Sequence, residues 1–135
     1  MATDEVIYLS YEDALVVHFK LMWAYREVRF GVFSPDLIES ALARPQQAAI
    51  YEDADISRQA ATLCFGLIKN HPWVGGNKRK ATAIVAEFLL RNGYVVRPAA
   101  GETAKMVFAV EADQYGVDEI EAWYRQRTIF IGKPQ

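Results

Sequence analysis

At 135 residues the chain has the length of a single domain, expected over 1–135 with its core at about 6–127; 52% hydrophobic and 13% aromatic residues can drive folding without staples. Fifteen Lys and Arg against 17 Asp and Glu leave a formal charge of -2, which supplies no global field for a polyanion and argues against general nucleic-acid binding. One cysteine, Cys64, rules out an internal disulfide, and with no secretion-like start and no apolar run near the ~20 residues a bilayer requires, a soluble cytoplasmic protein is expected.

Ser10 and Asp13 have the spacing of a capping box, and Leu15, Phe19, Met22 and the stem of Arg26 follow at helical spacing, which predicts a first helix over 11–25. Residues 29–33 read as loop around Gly31. Ser34 then caps a helix with Pro35 in its first turn, and Leu37, Ile38, Ala41 and Leu42 form its apolar face until Pro45 ends it. Residues 46–51 are ambiguous. Asp53 or Asp55 caps a third helix, on which Ala60, Leu63, Cys64, Leu67 and Ile68 repeat at three and four residues, and Pro72 stops it near Lys69 and Asn70. The period resumes from Lys78 or Arg79 through Ala81, Ile84, Val85, Phe88 and Leu89, and Asn92-Gly93 closes this fourth helix. Residues 94–96 are briefly extended and 98–101 form a turn. A fifth helix carries Ala104, Val107 and Phe108 on its inner face, a sixth begins near Asp118 with Ile120, Trp123 and Tyr124 inward, and the tail from Phe130 is expected to be loose. The fold class is therefore mainly α, a compact domain of five or six helices with room for one very short hairpin.

The chemistry concentrates between the third and fourth helices, in His71-Pro72-Trp73-Val74-Gly75-Gly76-Asn77-Lys78-Arg79. Adjacent glycines allow close approach to the backbone, and amides at a helix start aim partial positive charge into the same space, so a phosphate is a natural guest. Basic side chains at that terminus are unfavourable to the helix unless an anion compensates, which gives Lys78 and Arg79 a functional reading. Asn77 can cap the helix or present its amide to a phosphoryl oxygen; Arg79 can grip two oxygens through its planar fork, and Lys78 acts as a point charge. His71 is the loop's one group with an ordinary pKa near neutrality, suited to take a hydroxyl proton in nucleotidyl or phosphoryl transfer. The bland alternative is an ordinary Gly-Gly turn with His71 as a local cap and Lys78 and Arg79 solvated.

The string from His71 to Arg79, with Ala81 and the ending Phe88-Leu89-Leu90-Arg91-Asn92-Gly93-Tyr94, resembles the signature of the Fic/Doc superfamily, and more closely its death-on-curing, Doc-like branch. Tyr8-Leu9, the stretch from Leu37 to Gln46 and the region around Glu119 to Trp123 are similar to that branch too. The resemblance implies a helical fold and transfer of part of ATP to a protein hydroxyl, with Mg2+ as a further cofactor. In Doc-like members this is phosphoryl transfer to a translation factor, elongation factor Tu, within a toxin-antitoxin pair; the toxin is neutralised by a small, partly disordered antitoxin. By the same resemblance His71 takes the catalytic base position and Asn77 and Arg79 take phosphate-binding positions, to which the loop's own chemistry adds Gly76 and Lys78. Lys78 stands where AMP-transferring members have glycine, and Thr82 where they have a second arginine. Gly75 stands where the family usually carries the metal-binding Asp or Glu, and glycine offers no anionic oxygen, so no residue is assigned to the metal. An AMP-transferring enzyme and a catalytically impaired module that binds an anion or a protein are the alternatives.

Other candidates read more simply. Trp73 serves as a core anchor for the loop. Glu87 is a polar-face residue, about 12 Å along the helix from Arg79 and too far to replace the missing carboxylate. His18 reads as a half-buried structural histidine, and Cys64 with the two histidines lacks the short spacings of a zinc centre. Arg26, Arg29, Arg44 and Arg58 are candidates for a basic rim, each of which reads more simply as a solvated charge.

Overall fold

The computed structural model describes residues 5–26, 34–70 and 77–134, with the side chains of Asn77 and Lys78 also outside the description. Six helices and two short strands follow one another as α1 (Tyr11–Tyr25), α2 (Pro35–Glu52), α3 (Ile56–Asn70), α4 (Asn77–Arg91), β1 (Tyr94–Val96), α5 (Glu102–Glu111), α6 (Val117–Arg127) and β2 (Thr128–Phe130). The expected mainly helical architecture is what forms. The short hairpin is instead a two-stranded antiparallel ribbon whose strands are separated in sequence by α5 and α6, with Tyr94 opposite Phe130 and Val96 opposite Thr128. No helix among the described residues is long and apolar enough to cross a membrane.

The first helix begins and ends as its sequence dictates. Ser10 Oγ accepts from the Asp13 amide and Asp13 accepts from the Ser10 amide, so two amides at the helix start are satisfied reciprocally. The inner face, however, is Ala14, His18 and Met22, and Phe19 is half exposed. Phe19 and His18 are neighbours in sequence, about 100° apart around the helix, so the phase that buries Ala14, His18 and Met22 turns Phe19 outward. His18 is thus fully buried, where half-burial was expected.

Helix α2 corrects the expectation that Pro45 terminates it, because it runs seven residues further, to Glu52. An internal proline removes one backbone hydrogen bond and crowds the carbonyl four residues back, at a cost of about 3 kcal/mol. Burial against α3 offsets that cost: Ile38, Ala41, Leu42, Pro45 and Ala48 repeat at three and four residues on one buried face, so the ring lies inside the interface. Asp53, in the left-handed conformation at φ 54°, ends α2, and Asp55 is the residue that caps α3, accepting from the Arg58 amide at 3.1 Å.

None of the fifteen residues of α3 is exposed. It packs against α2, α4, α5 and α6, and its polar groups are satisfied locally. Gln59 accepts from the Tyr8 hydroxyl at 3.0 Å and donates to the Ala54 carbonyl at 2.9 Å, while Thr62 donates to the Gln59 carbonyl at 2.7 Å. Ion pairs brace the outside. Arg58 meets Glu52, Asp118 and Glu121, and Arg125 meets Asp55 and Glu121, so the start of α3 is tied to α6.

Two further expectations shift. On α5 the buried residues are Met106, Val107, Ala109 and Val110, with Ala104 and Phe108 exposed. Five consecutive apolar residues, 106–110, permit more than one helical phase, and the one that packs toward α3 turns Phe108 out. The tail is also held. Beyond β2, the Ile131 amide donates to the Gly93 carbonyl at 2.6 Å and the Lys133 ammonium donates to the Glu5 carbonyl. Gly93 has φ +90°, and a Cβ on it would lie 2.8 Å from the Gly132 carbonyl carbon, so this crossing requires glycine at 93.

Asn92 joins the N-terminal segment to this crossing. Its buried amide accepts from the Ile7 N–H at 2.7 Å and donates to the carbonyls of Ile7 and Phe88 at 2.9 and 2.8 Å. We expect Asn92→Ala to lower stability by about 1–3 kcal/mol in urea melts, because it removes a buried side chain and its three hydrogen bonds to the backbone of Ile7 and Phe88. A second pin is the paired contact between Arg127, at the end of α6, and Glu102, at the start of α5, at 2.8 and 3.0 Å. Arg127, with the Ala99 amide, holds the Glu102 carboxyl at about 2 against an ordinary 4.5. A depressed carboxylate stabilises fully above its unfolded value and loses that contribution as pH falls toward its folded one. Glu102→Gln should therefore flatten the stability profile between about pH 4.5 and about pH 2, measured as denaturation midpoints across that window.

Candidate functional site

The chain between α3 and α4 is held at both ends. On the α3 side, the Asn70 amide donates to the Leu37 carbonyl in the first turn of α2 at 3.0 Å, and Lys69 pairs with Asp113 beyond α5. On the far side, α4 starts at Asn77, one or two residues earlier than the apolar period alone marks it. Its first turn therefore contains Asn77, Lys78, Arg79 and Lys80, with no acidic residue. Backbone amides of a first turn have no partner within the helix, and their field favours an anion.

His71, Trp73, Gly75 and Gly76 lie outside the described residues, as do the side chains of Asn77 and Lys78. Arg79 is exposed at the positive end of α4, and its guanidinium lies over the Tyr25 ring, 4.1 Å from the centroid. Thr82, in the next turn, donates its hydroxyl to the Arg79 carbonyl at 3.3 Å. Beside them lies a cavity of about 330 Å³, whose walls include Leu21, Tyr25, Ala83, Thr103 and Trp123 and whose one charged lining residue among the described residues is Arg79.

Two residues at this end were not singled out from sequence. Tyr25 is the last residue of α1, and the signal for it was the series 13, 17, 21, 25, which forms one ridge of that helix. Lys80 is fully buried. It stands four and eight residues before Ile84 and Phe88, on the ridge that enters the core.

The remaining candidates take structural places. Glu87 accepts from Arg91 at 2.7 Å, and Arg91 also meets Asp13 at 3.0 Å, so Glu87 braces the arginine that links α4 to α1. Ser10's amide, and then Arg91, hold the Asp13 carboxyl below its ordinary range. Of the proposed basic rim, Arg58 is consumed by three carboxylates, Arg44 packs near Phe65, Arg26 ends α1 in the left-handed conformation and Arg29 lies outside the described residues. No group of three or more His, Cys, Asp or Glu among the described residues is placed to hold a metal.

The comparisons join this geometry to a family. The Fic/DOC family model matches residues 8–89, more than half of the chain. The chain belongs to the Fic/DOC family. The matched region contains all of α1, α2 and α3, the loop and most of α4; the cavity walls contributed by Thr103 and Trp123 lie beyond it. A comparison with curated proteins returned no match. Family membership gives this Fic/DOC chain the potential for nucleotidyl or phosphoryl transfer.

Cys64 has no part in that chemistry. It is fully buried on α3, and burial pushes its thiol up to about 12, against a smaller opposing contribution from its hydrogen bond with Tyr124. A thiol that is neither ionised nor accessible does not attack electrophiles. Iodoacetamide at pH 8 should leave Cys64 unmodified in the folded protein and alkylate it completely in denaturant, as read by intact mass.

Proposed function

We propose that this Fic/DOC protein binds ATP by its phosphates at the start of α4 and transfers a phosphorus-bearing part of it to a hydroxyl of another protein. The observation that carries the reading is the coincidence of the family match with an α4 whose amide end bears Asn77, Lys78 and Arg79 and no acidic side chain. In this scheme the amides of the first turn and Gly76 receive phosphate oxygens, Asn77 donates through its amide, and Lys78 and Arg79 balance the charge. His71 takes the proton of the attacking hydroxyl as its oxygen bonds to phosphorus. Attack at the α-phosphorus releases pyrophosphate and leaves AMP on the target; attack at the γ-phosphorus releases ADP and leaves a phosphoryl group. Lys78 and Thr82 favour the second by resemblance to Doc-like members, with a translation factor such as elongation factor Tu as target and a small antitoxin as regulating partner. AMP transfer is the alternative with the same residues.

A second reading has a specific basis. Gly75 provides no carboxylate; the closest acidic residue on α4, Glu87, is about 15 Å from Asn77 along the helix and is engaged by Arg91. The described residues thus do not fit a protein-held magnesium ion, and a member impaired in transfer would remain as an anion- or protein-binding module. Incubation of the protein and a cell extract with α-labelled or γ-labelled ATP separates these readings. Label from the α position on a second protein marks AMP transfer, and label from the γ position alone marks phosphoryl transfer. Either should fall at least about a hundredfold in His71→Ala. No transfer from either label, with ATP still bound, sinks the enzyme reading and leaves the module; Gly75→Asp is then expected to raise transfer.

A further inference from the structure

Arg58, Arg91, Arg125 and Arg127 each meet at least one carboxylate. Arg44, in the middle of α2, does not. It is half-buried, its guanidinium lies 5.9 Å from the centroid of the Phe65 ring, and it forms no hydrogen bond or ion pair among the described residues. Its stem is nevertheless held. It crosses α3 at Gly66, where a Cβ would stand 2.7 Å from Arg44 Cδ and 2.8 Å from its Nε, so the missing side chain at 66 is what lets the arginine lie against that helix.

Arg44 also forms part of the wall of a cavity of about 330 Å³ between α2, α3 and α6, together with Gln47, Tyr51, Glu52, Arg58 and Thr62. Ala48 and Val117 give the cavity an apolar side, and its size is at the low end for a small-molecule site. Arg58 is occupied by Glu52, Asp118 and Glu121, which leaves Arg44 as the cation of this cavity without a carboxylate among the described residues.

A guanidinium half withdrawn from water loses solvation that no acceptor among those residues returns. Its planar fork matches a carboxylate through two parallel N–H···O bonds, and a stem already laid along Gly66 loses less rotamer freedom when those bonds form. The surroundings select against more highly charged anions. Three carboxylates lie around Arg58, and Glu52 ends α2 at the negative pole of that helix, so a phosphate dianion meets more repulsion there than a single carboxylate does.

From this arrangement we infer a second binding site, in which Arg44 receives the carboxylate of a small organic acid whose apolar body lies against Ala48, Val117 and the ring of Tyr51. It shares no residue with the start of α4, and its test does not depend on ATP.

Amide NMR titrations test it, with benzoate as the probe, benzamide as its neutral isostere and inorganic phosphate as the competing anion. Benzoate should move the backbone amides of Gln47, Ala48, Tyr51 and Val117 and the Arg44 Nε–H saturably, with a Kd of about 1–10 mM, and benzamide and phosphate should each bind at least about tenfold more weakly. Arg44→Met keeps a stem over Gly66 but removes the charge, and should weaken benzoate at least about tenfold. Gly66→Ala keeps the charge but places a methyl where Arg44 Cδ and Nε lie, and should weaken benzoate about three- to tenfold. Should Gly66→Ala fail to fold, Arg44→Met decides. Shifts that do not saturate by about 50 mM benzoate overturn the site. Benzamide or phosphate binding as tightly as benzoate overturns its assignment to a carboxylate, and benzoate binding unchanged in Arg44→Met overturns the role of the arginine.

Discussion

A helix with no exposed residue is the constraint around which this molecule is arranged. Most helices of a domain this size show a polar face to water, but α3 is enclosed by α2, α4, α5 and α6. Enclosure is tolerable because its polar side chains are small or hydrogen-bonded within reach, as with Thr62 and Gln59, and because its charged residues Arg58 and Lys69 sit near its ends, where carboxylates from α2, α6 and the turn after α5 meet them. Close packing then leaves α3 little room to slide or rotate. The loop that follows departs from a fixed point, and α4 returns against two faces already in place, α3 and α1.

The electrostatics of the site follow from how the arginines are distributed. A net charge of -2 suggests a poor host for polyphosphate, yet seven of the 17 carboxylates are paired with three groups of arginines away from the start of α4. Glu52, Asp55, Asp118 and Glu121 surround Arg58 and Arg125; Asp13 and Glu87 surround Arg91; Glu102 holds Arg127. Each exposed pair adds little stability, about 0–1 kcal/mol. Their greater effect is spatial, because these pairs among the described residues lie around α6 and the far end of α4. The start of α4 keeps three consecutive basic residues, its amide ends and a neutral ring under Arg79.

Much of the architecture was legible where one local rule governs one residue. The Ser10 and Asp13 box, Ser34 before Pro35, and Asn92-Gly93 each specify a helix end by satisfying or releasing backbone groups, and the boundaries of α1 agree to the residue. Legibility failed where two rules compete. Pro45 opposes a helix locally, and only the partner surface of α3 outweighs it; Phe19 and Phe108 are more hydrophobic than His18 and Ala109, yet the phase of each helix is set by what it packs against. The strand pairing of the tail joins residues more than thirty positions apart and leaves no periodic trace. At the site, the glycines, His71 and the basic run are contiguous, so their chemistry could be read directly. Tyr25 and Lys80 acquire meaning only from the register of α4 against its neighbours.

The ribbon also has a temporal side. Its first strand and the Gly93 carbonyl exist as soon as α4 is made, but the backbone that satisfies them comes from 128–131, after two more helices. During synthesis the growing chain therefore carries an open strand edge, beside the asparagine that clasps the N-terminal segment, until α6 has left the ribosome. Vectorial folding can assemble the central helices early, but the final stitch waits until residues 128–131 have emerged, and in that interval the nascent molecule is most exposed to pairing with a neighbour.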